Sequence, residues 1–135
     1  MCFGTFDLLH PGHLNYFEQA KRYGDFLIVV IARDKTKQKQ GKMLMLSEKE
    51  RLKIIQSIKI VDKAVLGSLQ DFLHVIIKNE PAVICLGYDH AVTEKDLQRA
   101  LKERGLSINV MRMKAYKKKI YKSTLIKKKI KEELK

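Results

Sequence analysis

Apolar residues fall along this chain in two alternating patterns, short dense runs and longer stretches with three- and four-residue spacing. Phe26 to Ile31 is an unbroken apolar run of strand length, and Val61 to Leu66, Ala82 to Leu86 and Ile108 to Met113 are further strand-length segments. Such dense runs mark strands covered on both faces, as in a parallel sheet. Between them, His13 to Tyr23, Glu48 to Ile58, Leu69 to Asn79 and Glu94 to Arg104 carry helical spacing, and Ser123 to Leu134 closes the chain as a basic helix. The helix ends agree. Ser47 with Glu50 has the spacing of a capping box, Ser68 and Thr93 stand three residues before Asp71 and Asp96, and Gly24 and Gly105 sit where helices stop. The first strand is odd, because only Met1, Cys2 and Phe3 precede Gly4. A central strand usually has about five or six residues, so we expect either a very short strand or residues upstream of this numbering.

Strands alternating with helices, without repeats or a Pro/Gly/Ser linker, predict one α/β domain over residues 1–135, with its basic helix starting at about 122. The expected architecture is a Rossmann-like, doubly wound parallel sheet of about five strands joined by right-handed crossovers. Ligands of such sheets bind beyond the carboxyl ends of the strands, where strand order reverses. Every unusual segment falls at that edge: Gly4 to His13 after the first strand, Arg33-Asp34 after the second, Leu86 to Asp89 after the fourth and a lysine-rich stretch after the fifth.

Composition narrows the setting. No run approaches the roughly 20 apolar residues of a membrane span, and the N-terminus is not a signal peptide, so a cytoplasmic protein is expected. Cys2 and Cys85 lie far apart in sequence, Cys85 within an apolar run, and free thiols are expected. The formal charge is +13, of which +9 falls between Met111 and Lys135, and a second cluster comprises Arg33, Lys35, Lys37, Lys39 and Lys42. These clusters suit polyanions, whether nucleotide, nucleic acid or acidic membrane, and charge alone does not choose among them.

Gly4-Thr5-Phe6-Asp7 followed by His10-Pro11-Gly12-His13 is the most specific feature. Gly12 lets backbone approach a ligand closely, Pro11 suits the first turn of a helix, and a helix start offers free N–H groups to polyphosphate. Two imidazoles add donors for charge developing at phosphorus. The plainer alternative makes His10 a loop residue and His13 an ordinary first-turn histidine. Gly41-Lys42 lacks the rest of a P-loop, no GxSxG elbow exists, and His10 and His13 lack a third metal ligand at helical spacing, so no metal site is assigned.

The stretch from Gly4 to His13 resembles the signature of the HxGH nucleotidyltransferase superfamily, which includes cytidylyltransferases. More narrowly, Ile31 to Thr36, Ala64 to Ser68, Leu86 to His90 and Tyr116 to Lys118 resemble archaeal FAD synthetases. This resemblance implies transfer of AMP from ATP to FMN, giving FAD and pyrophosphate, with Mg²⁺ or another divalent metal arriving with ATP. It implies that Thr5, Phe6, His10, Pro11, Gly12 and His13 line the nucleotide pocket, the histidines acting at the α-phosphorus. Lys42 would reach phosphate from a mobile basic loop, although Lys37 and Lys39 compete for that role. Asp89 and Tyr116 would contact the nucleoside, and Ser123 and Thr124 the β- and γ-phosphates. Arg51 would be structural or phosphate-orienting, and Lys117 supporting.

Bland readings stand beside these. Asp89 could make only a turn hydrogen bond, Tyr116 could be a surface aromatic, and Ser123-Thr124 could be a simple helix cap. The sequence departs from the resemblance at Lys119, where such synthetases can carry cysteine, and at Tyr88-Asp89-His90, where cytidylyltransferases often show Asp-Asp-Trp. The alternatives are a cytidylyltransferase for glycerol-3-phosphate or another phospho-alcohol and, ranked lower, a nucleic-acid-binding module using the basic tail. A homodimer is implied by resemblance only, and no membrane partner is expected.

Overall fold

The computed structural model describes residues 1–134. Five strands, β1 (Cys2–Gly4), β2 (Ile28–Ile31), β3 (Lys63–Leu66), β4 (Val83–Leu86) and β5 (Asn109–Arg112), form one parallel sheet in the order β3-β2-β1-β4-β5. The helices are α1 (Pro11–Lys21), α2 (Asp34–Lys39), α3 (Glu48–Gln56), α4 (Phe72–Asn79), α5 (Glu94–Glu103) and α6 (Ser123–Glu133). None is long and apolar enough to cross a membrane. The sheet reverses its order beside β1, which sets the ligand crevice between the carboxyl ends of β1 and β4.

Each strand sends successive side chains to opposite faces, and two cores follow. Cys2, Val29, Ile31 and Cys85 pack with Tyr16, Phe17 and Ala20 of α1 and Ile55 of α3. Phe3, Val30, Ile84, Leu86 and Val110 pack with Val75 and Ile76 of α4 and Leu97 and Leu101 of α5. Full burial of each Val, Leu, Ile or Phe side chain among these contributes about 1.5–3 kcal/mol. Cys2 and Cys85, distant in sequence, are register partners in the sheet and remain free. Burial, with Cys85 nearby, pushes the Cys2 thiol up to about 12.

β1 is three residues long. It matches β2 over three positions but β4 at Cys2↔Cys85 alone. Past that pair the Tyr16 hydroxyl stands between the strands, accepting from Phe3 N–H at 3.2 Å and donating to the Cys85 carbonyl. The two strands therefore part where the crevice begins.

Several boundaries differ from expectation for identifiable reasons. Residues 34–39, expected as part of a loop, form α2, because Asp34 and Glu48 cap each other's helix starts, each carboxylate accepting the other's N–H at 3.1 Å. Ser47 caps α3 through Glu50 N–H at 3.2 Å, so one half of the expected capping box forms. Ser68 accepts from Gln70 and Asp71 N–H in a turn, and Asp71 is the actual cap of α4. β2 starts late because the Asp62 carboxylate takes Leu27 N–H at 2.7 Å. Thr93 caps α5 as expected, and Gly105, at φ +77°, ends it. The Gly105 and Leu106 N–H groups close that end on the Lys102 and Leu101 carbonyls.

Candidate active site

His10 is the N-cap of α1, with Pro11 opening the helix. The two histidines cap that end reciprocally: His10 Nδ1 accepts from Gly12 N–H at 3.1 Å, and His13 Nδ1 accepts from His10 N–H at 3.2 Å. A nitrogen that accepts from an amide carries no proton, so both neutral rings present Nε2–H as a donor. The rings stack at 3.8 Å between centroids, and Phe6 meets His13 edge-on at 5.2 Å. Burial holds both imidazoles below their ordinary value, His13 at about 3, with the nearby His10 adding to the effect. The pair is thus neutral at physiological pH, two fixed donors at the positive dipole end of α1, whose Gly12 and His13 amides are already taken by His10 Nδ1 and His10 O. Donors of this kind favour phosphate oxygens most when negative charge grows on them.

Gly12 also has a structural use within the loop. A Cβ there would lie 2.8 Å from His10 Cε1, so glycine makes room for the imidazole itself. Gly4 likewise makes room for Phe6, whose ring would come within 2.5 Å of an added Cβ. Phe6 is buried and adopts φ 56°, a strained backbone that turns the chain from β1 into the histidine loop.

Two buried charged residues brace this loop from below. Arg51 is fully buried and donates to the carbonyls of Thr5 and Ala32 at 2.8 Å, to Leu46 O at 3.2 Å and to Asp34 Oδ1 at 2.7 Å. Its fork ties the ends of β1 and β2 to the segment before α3. Asp7, 3% exposed, accepts from Met45 and Leu46 N–H at 2.9 Å and pairs with Lys127 of α6 at 2.5 Å. Burial alone would raise its carboxyl, but the Lys127 ammonium and the two amides outweigh it and hold the group below the ordinary value.

α6 begins against the same loop. Ser123 Oγ donates to Leu8 O at 3.3 Å, and Lys122, without a side-chain cap bond, precedes it. Ser123 and Thr124 are therefore the first helical residues rather than caps, and their helix start joins that of α1 at one place. A row of near-parallel rings runs outward from the histidines: Tyr121 lies 6.2 Å from His10 at 16°, and Tyr116 lies 6.1 Å from Tyr121 at 8°. Lys117 Nζ sits 5.4 Å above Tyr116.

After β4, Gly87 to His90 form a turn closed by His90 N–H on Gly87 O at 3.2 Å, with His90 Nδ1 accepting from Gly87 N–H at 3.0 Å. Arg112 of β5 clamps it through the carbonyls of Gly87, His90 and Val92. The backbone, His90 and Arg112 hold this turn, which leaves the exposed Asp89 carboxylate outside its hydrogen bonds. On the β2 side, Lys37 of α2 donates to Gln40 Oε1 at 3.1 Å. This half-buried ammonium is lowered by burial and by the positive charge of Lys42, with Asp89 close enough to oppose the shift.

A model of the cytidylyltransferase-like family matches residues 1–129. The chain belongs to this family. An FAD synthase of Thermoplasma acidophilum is 39% identical over 132 residues, spanning 98% of this chain and 93% of that protein. An FAD synthase of Archaeoglobus profundus is 43% identical over 112 residues, spanning 83% of this chain and 72% of that protein. A solved structure described as a lipopolysaccharide core biosynthesis protein of Thermoplasma volcanium superposes with a TM-score of 0.84 at 39% identity, covering 86% of this chain and 95% of the other.

In this cytidylyltransferase-like chain the fold brings Thr5, His10, Gly12, His13, Asp89, Lys37 and the start of α6 to one sheet edge. Lys42 lies exposed on the β2 side, its N–H bound to Lys37 O at 3.0 Å. Pro11 and Lys117 are exposed, and Tyr116 stands at the end of the ring row. Arg51 is kept from the crevice by its own hydrogen bonds. Asp7, Tyr121 and His90 were not anticipated as site-builders. Asp7 lay within the Gly-Thr-Phe-Asp signature, whereas the partners of Tyr121 and His90 are contacts that spacing does not encode.

Proposed function

We propose that the chain is an FMN adenylyltransferase, joining AMP from ATP to the terminal phosphate of FMN and releasing pyrophosphate. The reciprocally capped histidine pair at the start of α1 supports the reaction type. The near full-length relatives named FAD synthase support adenine and FMN as the substrates. The FMN phosphate oxygen attacks the α-phosphorus in line, the bond to the bridging oxygen breaks, and pyrophosphate leaves with that electron pair.

His10 and His13 Nε2–H donate to the α-phosphate oxygens as charge gathers there, while the α1 dipole favours the triphosphate and the start of α6, with Ser123 and Thr124, takes the β- and γ-phosphates. Thr5 and Phe6 contribute backbone to the nucleotide pocket, and Asp89 and Tyr116 hold the nucleoside. Lys37 and Lys42 offset phosphate charge from the β2 side. Among the described residues no three His, Cys, Asp or Glu side chains gather as a metal set. A divalent metal, Mg²⁺ in the simplest case, is proposed as a companion of the triphosphate, where it neutralises charge. A cytoplasmic homodimer is the accompanying proposal, supported by resemblance and tested by mass measurement in solution.

The decisive assay incubates the protein with ATP, FMN and Mg²⁺ and follows FAD by chromatography. FAD and pyrophosphate should appear together, and CTP should not replace ATP. Absence of FAD, with pyrophosphate released from CTP and a phospho-alcohol, would overturn the assignment.

A further inference from the structure

An open cleft of about 280 Å³ lies between α2 and the segment before α3, lined by Asp34 and Gln38 on one side and by residues 42–47 on the other. Clefts that take a whole drug-sized ligand are roughly 300–1,000 Å³, so this one suits part of a ligand, on the scale of a ring system. Its rim is unusual. Met43 and Met45 are 90% and 66% exposed, beside a half-buried Leu44, although nothing in the core requires apolar residues there. Thioethers pack well against aromatic rings, and a planar heterocycle would cover this surface.

The rim is also held in place. Asp7 takes the N–H groups of Met45 and Leu46, and Lys42 N–H bonds to Lys37 O, so both ends of the segment are anchored to elements that build the histidine loop and α2. The cleft opens on the β2 side of β1, whereas Asp89 and the Tyr116–Tyr121 segment follow β4 and β5 on the other side. With the nucleoside held on that second side, the β2 side is free for the group that attacks. Lys42 lines the cleft, and Lys37 adjoins it, its carbonyl accepting Lys42 N–H at 3.0 Å and its ammonium donating to Gln40 Oε1 at 3.1 Å. A phosphate dianion would be met by these two ammonium groups while its ring lies beyond them, and the Gln38 amide can both donate to and accept from the polar edge of that ring.

We propose that this cleft seats the isoalloxazine ring of the acceptor, with Met43 and Met45 against its face and Gln38 at its edge. The inference rests on FMN being the acceptor, as argued above.

The test compares the wild-type chain with a Met43→Ser, Met45→Ser double variant, reading FMN and riboflavin binding by flavin fluorescence quenching and turnover by FAD formation. Both side chains are exposed, so the fold should survive, and Gln38→Ala on the opposite wall provides an independent variant. The KM for FMN should rise about tenfold or more, with the KM for ATP within about twofold and kcat little changed. Riboflavin, which has the ring without the phosphate, should bind the variant more weakly by a similar factor. Gln38→Ala should raise the KM for FMN several-fold. If the wild type makes FAD and the double variant keeps its KM for FMN within twofold, the ring is seated elsewhere while the FMN reading stands. Weakening confined to FMN and absent with riboflavin would assign the segment to phosphate and overturn the ring assignment. A wild type that makes no FAD refutes the reaction, and lack of flavin quenching then refutes the cleft as well.

Discussion

Replacing Arg51 with methionine should cost this protein much of its stability. The side chain is fully buried and donates to three carbonyls, of Thr5, Ala32 and Leu46, and to the Asp34 carboxylate. Methionine fills a similar stem but supplies no donor. A buried acceptor left without its donor costs about 1–3 kcal/mol, and four such losses do not add fully, since Asp34 is one-third exposed and keeps Glu48 N–H. The three carbonyls that lose their donor, with incomplete additivity, give an expected loss of about 3–5 kcal/mol. Against a total of about 5–15 kcal/mol for a domain, this is a large fraction. At about 3–5 °C per kcal/mol for a chain of this length, Tm should fall by about 9–25 °C. Urea and thermal unfolding followed by far-UV circular dichroism measure it. Arg51→Lys should recover only part, because one ammonium cannot reach acceptors in four directions. A loss below about 1 kcal/mol, the scale of an exposed ion pair, would refute the bracing role. An unchanged Tm with a large rise in the KM for ATP would instead place the guanidinium on phosphate.

Further expectations follow from the histidines and from Asp7. His13→Ala should keep the fold and lower kcat by about 10²–10³-fold, the usual effect of removing one transition-state donor; near-normal turnover would exclude the histidine mechanism. Because burial holds His13 at about 3 in the folded chain, the unfolded chain binds its proton first as pH falls below about 6.5. Stability from this group is complete above that value and is lost toward pH 3, with His10 and His90, also held low by burial, acting in the same sense. The urea midpoint should drop between pH 7 and 5 while the His13 Hε1 resonance stays untitrated, and a midpoint flat across that range would contradict the burial argument. Asp7→Asn should lower stability by about 1–3 kcal/mol and raise proteolysis within residues 40–46. Lys127→Met should share that loss in a double-mutant cycle, and additive effects would show that the pair does not couple α6 to the histidine loop.

Much of the fold was legible because parallel strands buried on both faces leave dense apolar runs, and helices announce themselves by spacing and caps. Thr93 and Gly105 performed as read. What escaped was decided by partners distant in sequence. α2 depends on Asp34 and Glu48 exchanging caps across fourteen residues, and nothing local to residues 34–39 marks it as a helix. The strand limits were set by single long-range bonds such as Asp62 to Leu27 N–H. At the site, His10 and His13 were visible as a motif, but their mutual capping, which fixes the tautomer, requires ring positions that sequence does not supply. The room that Gly12 leaves for the His10 ring likewise depends on a ring position that spacing does not encode. Among the basic residues from Arg33 to Lys42, burial rather than number separates Lys37 from the exposed Lys39.

The Tyr16 hydroxyl between β1 and β4 bears on how substrates arrive. If the gap between the ends of β1 and β4 opened only as a nucleotide arrived, backbone bonds would break each time and that cost would weaken every binding event. Here the phenol already satisfies the Phe3 amide and the Cys85 carbonyl, and burial keeps its proton in place by raising its pKa well above the ordinary value. The gap is therefore preorganised during folding. Association needs no opening step at the seam, so any slow rearrangement seen on binding should be found in the loops around the sheet edge and not in the sheet.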